Sequence, residues 1–261
     1  MLKKEFKAEL LNVKVMETRA QAGKTAGEEA ANKIRELLAE KDKNGDNEAI
    51  TIIFAAAPSQ NEMLAALIAA DGIDWARINA FHMDEYSGLA VPDSQSFGIF
   101  LKEKLFDVLN FKSVSYINGK AADLEEECER YGILLAQYPA DIVCMGIGEN
   151  GHIAFNDPPV ADFNDAKAVK MVELDAICRQ QQVNDGCFPT LADVPTHALT
   201  LTIPALMGCK YIFCTVPAAT KAEAVKRTIN DEISEACPAT ILRTHENAVM
   251  YCDSDSGRYI L

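Results

Sequence analysis

Two kinds of apolar pattern alternate along the chain. One kind is unbroken: residues 49–57 (AITIIFAAA), 141–146 (DIVCMG), 211–216 (YIFCTV) and 248–252 (AVMYC). Runs of this length without polar interruption predict strands covered on both faces. The other kind recurs every three or four residues. Ala26, Ala30, Ile34, Leu37 and Leu38 share one helical face, as do Met63, Leu64, Leu67 and Ile68. Phe97, Phe100, Leu101, Leu105 and Val108 make a third, and Leu124, Cys128, Tyr131 and Leu135 a fourth. The alternation predicts an α/β fold with a mostly parallel sheet and helices on both faces. No linker, repeat or low-complexity tract breaks it, so residues 1–261 are read as one domain.

Ligands of such sheets sit beyond the carboxyl ends of the strands. That rule singles out the loops after Ala57, Phe81, Met145 and Val216. The segment 146–159, GIGENGHIAFNDPP, carries three glycines in six residues, which allow tight turns and close backbone approach. Its spacing is not the dinucleotide fingerprint GxGxxG. His152 has an amide, Asn150, two residues before it and a carboxylate, Asp157, five after. A histidine held by such groups transfers protons near neutral pH; the alternative is a turn histidine satisfied by backbone. In His82-Met83-Asp84-Glu85-Tyr86 one carboxylate could be a general base. Strand geometry would turn Asp84 and Glu85 opposite ways, and a helix N-terminus or an acidic turn is the competing reading. Ser59 and Glu62 fit a capping box for the following helix, at a place where anions also bind. Lys221 falls in a helix first turn, where a cation opposes the dipole; this points to an anionic partner, against the commoner surface lysine.

Charge narrows the partners. Net charge is −14, from 25 Lys+Arg and 39 Asp+Glu. That argues against nucleic acid, which needs a basic face. An anionic small molecule needs only a local cluster of donors. The chain turns polar directly after Met1-Leu2, and no apolar run approaches the ~20 residues that span a bilayer. The expectation is a cytoplasmic protein with no membrane partner. None of the eight cysteines is spaced CxxC, so buried free thiols are expected rather than zinc sites or disulfides.

Taken together, FHMDEYSGL (81–89), SFGIFLKEKLFD (96–107), MGIGENGHIAFNDPP (145–159), HALTLTIPAL (197–206), ATKAEAV (219–225) and ILRTHENAVMYCD (241–253) resemble the glucosamine-6-phosphate deaminase/isomerase family. They also resemble its galactosamine-6-phosphate relatives and, more distantly, the 6-phosphogluconolactonases. The resemblance covers nearly the whole chain. It implies a modified doubly wound, Rossmann-like sheet and conversion of a hexosamine 6-phosphate to a ketose 6-phosphate plus ammonia, with no metal or organic cofactor. It implies that Asp84 moves the C2 proton and that His152, oriented by Asn150 and Asp157, opens the ring. It further implies that Ser59, Glu85, Gly148, Gly151 and Lys221 contact the sugar phosphate, Lys221 at the phosphate. A homo-oligomer is compatible with it.

Three departures stand out. The family's aspartate two residues before the histidine is Asn150. Its glutamate five residues after is Asp157, shorter by about 1.3 Å of reach. The usual Thr-Gly-Ser-Thr-Pro-like phosphate loop is Ala56-Ala57-Pro58-Ser59-Gln60. The family arginine after the sixth strand has no clear match; Asn184 falls near its place, with Arg179 a few residues earlier. The alternatives are a substrate lacking the 6-phosphate, a lactonase, or a catalytically weak sugar-phosphate-binding protein.

Overall fold

A computed structural model describes residues 1–89 and 95–261. The chain opens with β1 (Leu2–Ala8) and β2 (Leu11–Met16), an antiparallel pair, followed by α1 (Arg19–Lys43). Then come β3 (Ile50–Phe54), α2 (Asn61–Ile68), β4 (Ile78–His82), β5 (Asp84–Tyr86) and α3 (Phe97–Leu101). β6 (Ser113–Ser115), α4 (Leu124–Gln137), β7 (Ile142–Met145), β8 (Val169–Glu173) and α5 (Ala176–Asn184) continue it. β9 (His197–Leu201), α6 (Ile203–Met207), β10 (Tyr211–Val216), α7 (Ala222–Asn230) and β11 (Ala248–Cys252) complete it.

Eight strands form the main sheet in the order β1-β2-β11-β10-β7-β3-β4-β6, parallel except for β1 against β2. All four unbroken apolar runs are strands near its centre. Their residues alternate between two cores, as burial on both faces demands. Ile53, Val143, Met145, Cys214 and Met250 face a core shared with α4, α6 and α7. Ile52, Phe54, Cys144, Phe213 and Tyr251 face a core shared with α1 and α2. From β3 the order runs outward through β4 to β6; from β7 it runs the other way through β10 to β11. The switch lies between β3 and β7, and a crevice opens there at the carboxyl ends.

A second sheet, β5-β9-β8, is antiparallel. Its β5 begins one residue after β4 ends, so it hangs Asp84 over the rim of the main sheet. The face predicted from Phe97 to Val108 breaks at a π-helical turn, Lys102–Phe106. The extra residue of that turn rotates the chain beyond it, and Val108 faces solvent. All eight cysteines are free thiols, seven of them buried. Among the described residues no helix is long and apolar enough to cross a membrane.

Candidate active site

The four loops singled out above converge on one cleft. Ser59, Gln60, Asp84, Gly148, His152, Thr220 and Lys221 line it, joined by Arg19, Phe97, Phe155, Gln181, Gln182 and Asp185.

Asp84 and Glu85 do point opposite ways. Asp84 lines the cleft with 7% of its surface exposed. Burial, and after it the Glu85 carboxylate, push the Asp84 carboxyl well above the usual carboxylate range. Glu85 corrects the expectation of a substrate contact. Its carboxylate accepts from the Ser96 hydroxyl (2.6 Å) and from the backbone N–H groups of Tyr86, Phe97 and Gly98 (2.9–3.1 Å). It anchors the start of α3, which satisfies its charge away from the cleft. His82 is structural as well. Its Nε2 accepts from the Ile117 N–H, so the proton lies on Nδ1 and is donated to the Asp84 carbonyl at 2.9 Å. Burial lowers its pKa and keeps this tautomer neutral. The bond fixes the β4–β5 corner that carries Asp84.

His152 is held from behind. Its Nδ1 lies 2.9 Å from an Asp157 oxygen, off the line of an ideal hydrogen bond, which leaves Nε2 for the cleft. The shorter Asp157 therefore still reaches the ring. Burial alone would raise the Asp157 pKa. The adjacent His152 ring outweighs it, together with the hydrogen bond from Asn150, and the carboxyl stays below its ordinary value. Among the described residues Asn150 makes no hydrogen bond to the imidazole. Its Nδ2 donates to Asp157 at 2.8 Å and its Oδ1 accepts the His152 backbone N–H at 3.0 Å. Asn150 and Asp157 thus position the histidine. Among the described residues His152, Asp157 and Cys178 are the one group with metal-ligand atoms close together, within 4.8 Å; the histidine–carboxylate contact orients the ring whatever else the group holds.

The two glycines play different parts. A Cβ on Gly148 would lie 2.1–2.3 Å from the His152 ring, so the missing side chain is the space the imidazole occupies. Gly148→Ala is expected to push the ring out of register and lower kcat about 100-fold with the fold intact, in initial-rate assays beside circular dichroism. Gly151 is a correction: at φ +86° it makes the turn and packs on Cys237 outside the cleft.

On the opposite side the predicted capping box does not form. Glu62 pairs with Arg19 at 2.7 Å, and no side chain caps the 3₁₀ turn Pro58–Gln60. The Ser59 hydroxyl is consequently left to the cleft, where among the described residues it accepts only from Gln60 Nε2 at 3.2 Å. Lys221 ends a 3₁₀ turn, Ala219–Lys221, and starts α7. It is 5% exposed, with no hydrogen bond or ion pair among the described residues. Burial lowers its pKa, while the Asp185 and Glu149 carboxylates oppose the drop. Ala218, which precedes that turn, has φ +84°, a conformation that costs a non-glycine residue about 1–3 kcal/mol. A buried, unpaired cation on a strained turn fits a site for an anion.

Sequence reasoning missed α5 as a wall of the cleft. Neither Arg179 nor Asn184 stands in for an arginine there. Arg179 donates to the Leu191 and Val194 carbonyls, and Asn184 donates to Glu149 and accepts from Gln180. Gln181, Gln182 and Asp185 face the cleft instead. The amide run 180–182 before Asn-Asp-Gly was the available signal.

A family model for glucosamine-6-phosphate isomerases/6-phosphogluconolactonase matches residues 17–251. A glucosamine-6-phosphate deaminase of Bacillus cereus (strain G9842) is 41% identical over 184 residues, 70% of this chain and 68% of that protein. One from Bacillus thuringiensis (strain Al Hakam) matches equally, at 41% over the same shares. Among solved structures, a monomeric glucosamine-6-phosphate deaminase superposes with a TM-score of 0.83 at 28% identity, covering 94% of this chain and 98% of its own. The 6-phosphogluconolactonase of Thermotoga maritima shares the fold, with a TM-score of 0.74, 21% identity and coverage of 93% and 99%.

Proposed function

The chain belongs to the glucosamine-6-phosphate isomerase/6-phosphogluconolactonase family, and from that premise we propose that its cleft converts a hexosamine 6-phosphate and water to a ketose 6-phosphate and ammonia. The observation that carries this reading is the separation of roles in one cleft. A carboxyl of raised pKa, Asp84, stands with an oriented imidazole, His152, and a buried unpaired cation, Lys221, lines the same cleft.

His152, steadied by Asp157, delivers a proton to the ring oxygen as the C1 hydroxyl loses its own, and the pyranose opens to the aldehyde. Asp84 takes the proton from C2, giving an enolamine, and a proton is returned to C1. The resulting ketimine at C2 is hydrolysed: water adds, the C–N bond breaks, and ammonia leaves. Both proton positions of the isomerisation are served by one carboxyl, which needs a pKa nearer neutrality than that of a free aspartate. Burial supplies that shift. Ser59 and Lys221 hold the phosphate, with Gly148 giving the imidazole its place.

Lys221→Met tests the anion end. KM for a hexosamine 6-phosphate is expected to rise about 10- to 100-fold, the worth of one charge-assisted hydrogen bond, in steady-state kinetics. The same substitution removes a buried, unpaired ammonium, so the Tm is expected to rise. The reaction itself is tested by following hexosamine 6-phosphate by NMR. Ketose 6-phosphate and ammonium are expected in equal amounts. An unchanged hexosamine phosphate, together with hydrolysis of 6-phosphogluconolactone above its spontaneous rate, would assign the lactonase reaction instead.

A further inference from the structure

The turn that carries Lys221 is tied to a carboxylate from the neighbouring strand. β10 and β11 lie side by side, with Val216 opposite Cys252. Ala218 and Asp253 therefore follow the carboxyl ends of adjacent strands. Asp253 is buried. One of its oxygens accepts from the backbone N–H groups of Ser256 (2.7 Å) and Asp255 (3.1 Å). The other accepts from the Ala218 N–H at 3.0 Å. The Ala218 carbonyl accepts in turn from the Lys221 N–H at 3.1 Å. Two hydrogen bonds through one residue thus link Asp253 to the backbone of Lys221.

That residue is the strained one. Ala218 has φ +84° and ψ 149°, beside a region that is almost wholly glycine's. An alanine persists there only where its surroundings over-determine it. Its Cβ favours negative φ, and the bond to Asp253 opposes that pull. A change of φ at Ala218 would swing the 3₁₀ turn that follows and carry Lys221 out of place. Only the fraction of molecules that kept the turn would bind an anion well, and apparent affinity would fall by that fraction.

We propose that Asp253 is a positioning residue, which through Ala218 holds Lys221 where the substrate phosphate binds. The proposal rests on the sugar-phosphate reading of the cleft. Asp253→Asn tests it, because an amide offers one acceptor oxygen where the carboxylate uses two. That oxygen stays with the paired donors of Ser256 and Asp255, and the NH2 group then meets the Ala218 N–H. In steady-state kinetics KM for hexosamine 6-phosphate is expected to rise about 10-fold, with kcat unchanged to within about twofold. In the Ala218→Gly background the same substitution is expected to raise KM less than about threefold, since glycine needs no anchor at positive φ. Thermal-shift titration with potassium phosphate at fixed ionic strength is expected to show the same pattern of affinities without turnover. A loss that Ala218→Gly does not relieve, whether it comes from unfolding or from kcat, overturns the proposal. If the wild-type chain turns over hexosamine 6-phosphate and Asp253→Asn leaves KM unmoved, only this proposal falls. If phosphate affinity follows the pattern while hexosamine 6-phosphate is untouched, the role of Asp253 stands and the reaction assigned to the cleft falls. If the folded wild-type chain neither binds phosphate nor consumes hexosamine 6-phosphate, both fall.

Discussion

Asp84→Asn is expected to lower kcat about 1,000-fold and, at the same time, to raise the Tm. The first effect arises because the carboxyl that takes and returns the proton is replaced by an amide that can do neither; general acid–base groups contribute roughly 10²–10⁴ in rate. The second comes from linkage. Burial holds the folded-state pKa of Asp84 above its unfolded value. As pH rises through the ordinary carboxylate range, the unfolded chain gives up this proton while the folded chain keeps it. Unfolding is therefore favoured increasingly until pH passes the folded-state value. Asparagine removes that dependence. The Tm advantage of the variant is expected to be small near pH 4 and to widen towards neutrality, in calorimetric scans across that range. An equal advantage at every pH would mean that the gain came from packing and not from the buried charge.

Asn150→Asp is expected to destabilise the fold by about 2–4 kcal/mol at pH 7, although it restores the residue type that the family resemblance leads one to expect. The amide works in both senses: Oδ1 accepts from the His152 backbone and Nδ2 donates to Asp157. Aspartate keeps the first bond and turns the second into two buried carboxylates in contact. One proton must then be shared, and one of the two pKa values rises strongly. Stability is expected to recover as pH falls towards 5, because the folded pair holds that proton more tightly than the unfolded chain does. His152 loses its support meanwhile, and kcat drops about 10- to 100-fold. The double variant Asn150→Asp/Asp157→Asn restores one donor to one carboxylate. Denaturant unfolding of the full cycle is expected to show a favourable coupling of at least about 1 kcal/mol. Additivity would mean that the two side chains do not act as a pair.

The same contacts set the limits of sequence reading. β3, β7, β10 and β11 were legible because burial on both faces demands unbroken apolar runs, which few other environments do. The β1–β2 pair was not: β1, LKKEFKA, is an edge strand with mostly exposed side chains, and its pattern resembles a charged surface. The second sheet was missed for a related reason. Its β5 is only three residues long and carries two carboxylates, so no hydrophobic period marks it. The alternation within Asp84-Glu85 was legible, because a strand allows only two directions. The errors at Ser59–Glu62 and at α5 have one cause. Glu62 is claimed by Arg19, 43 residues away, and Gln181, Gln182 and Asp185 reach the cleft only because α5 docks beside the His152 loop, where Gln181 accepts from the Glu149 N–H at 2.8 Å. Local spacing carries no record of such partners. The departures at Asn150 and Asp157 look like two losses when read singly. In the structure they are one hydrogen bond.

The central claim is that Asp84, His152 and Lys221 serve one deaminating isomerisation. It is tested most directly by ammonia release from glucosamine 6-phosphate and galactosamine 6-phosphate, with Asp84→Asn as the control. The wild-type chain is expected to release ammonia from at least one of them at enzymatic turnover, on the order of 1–10³ per second, and the variant about 1,000-fold more slowly. A folded wild-type chain that releases none from either would contradict the account.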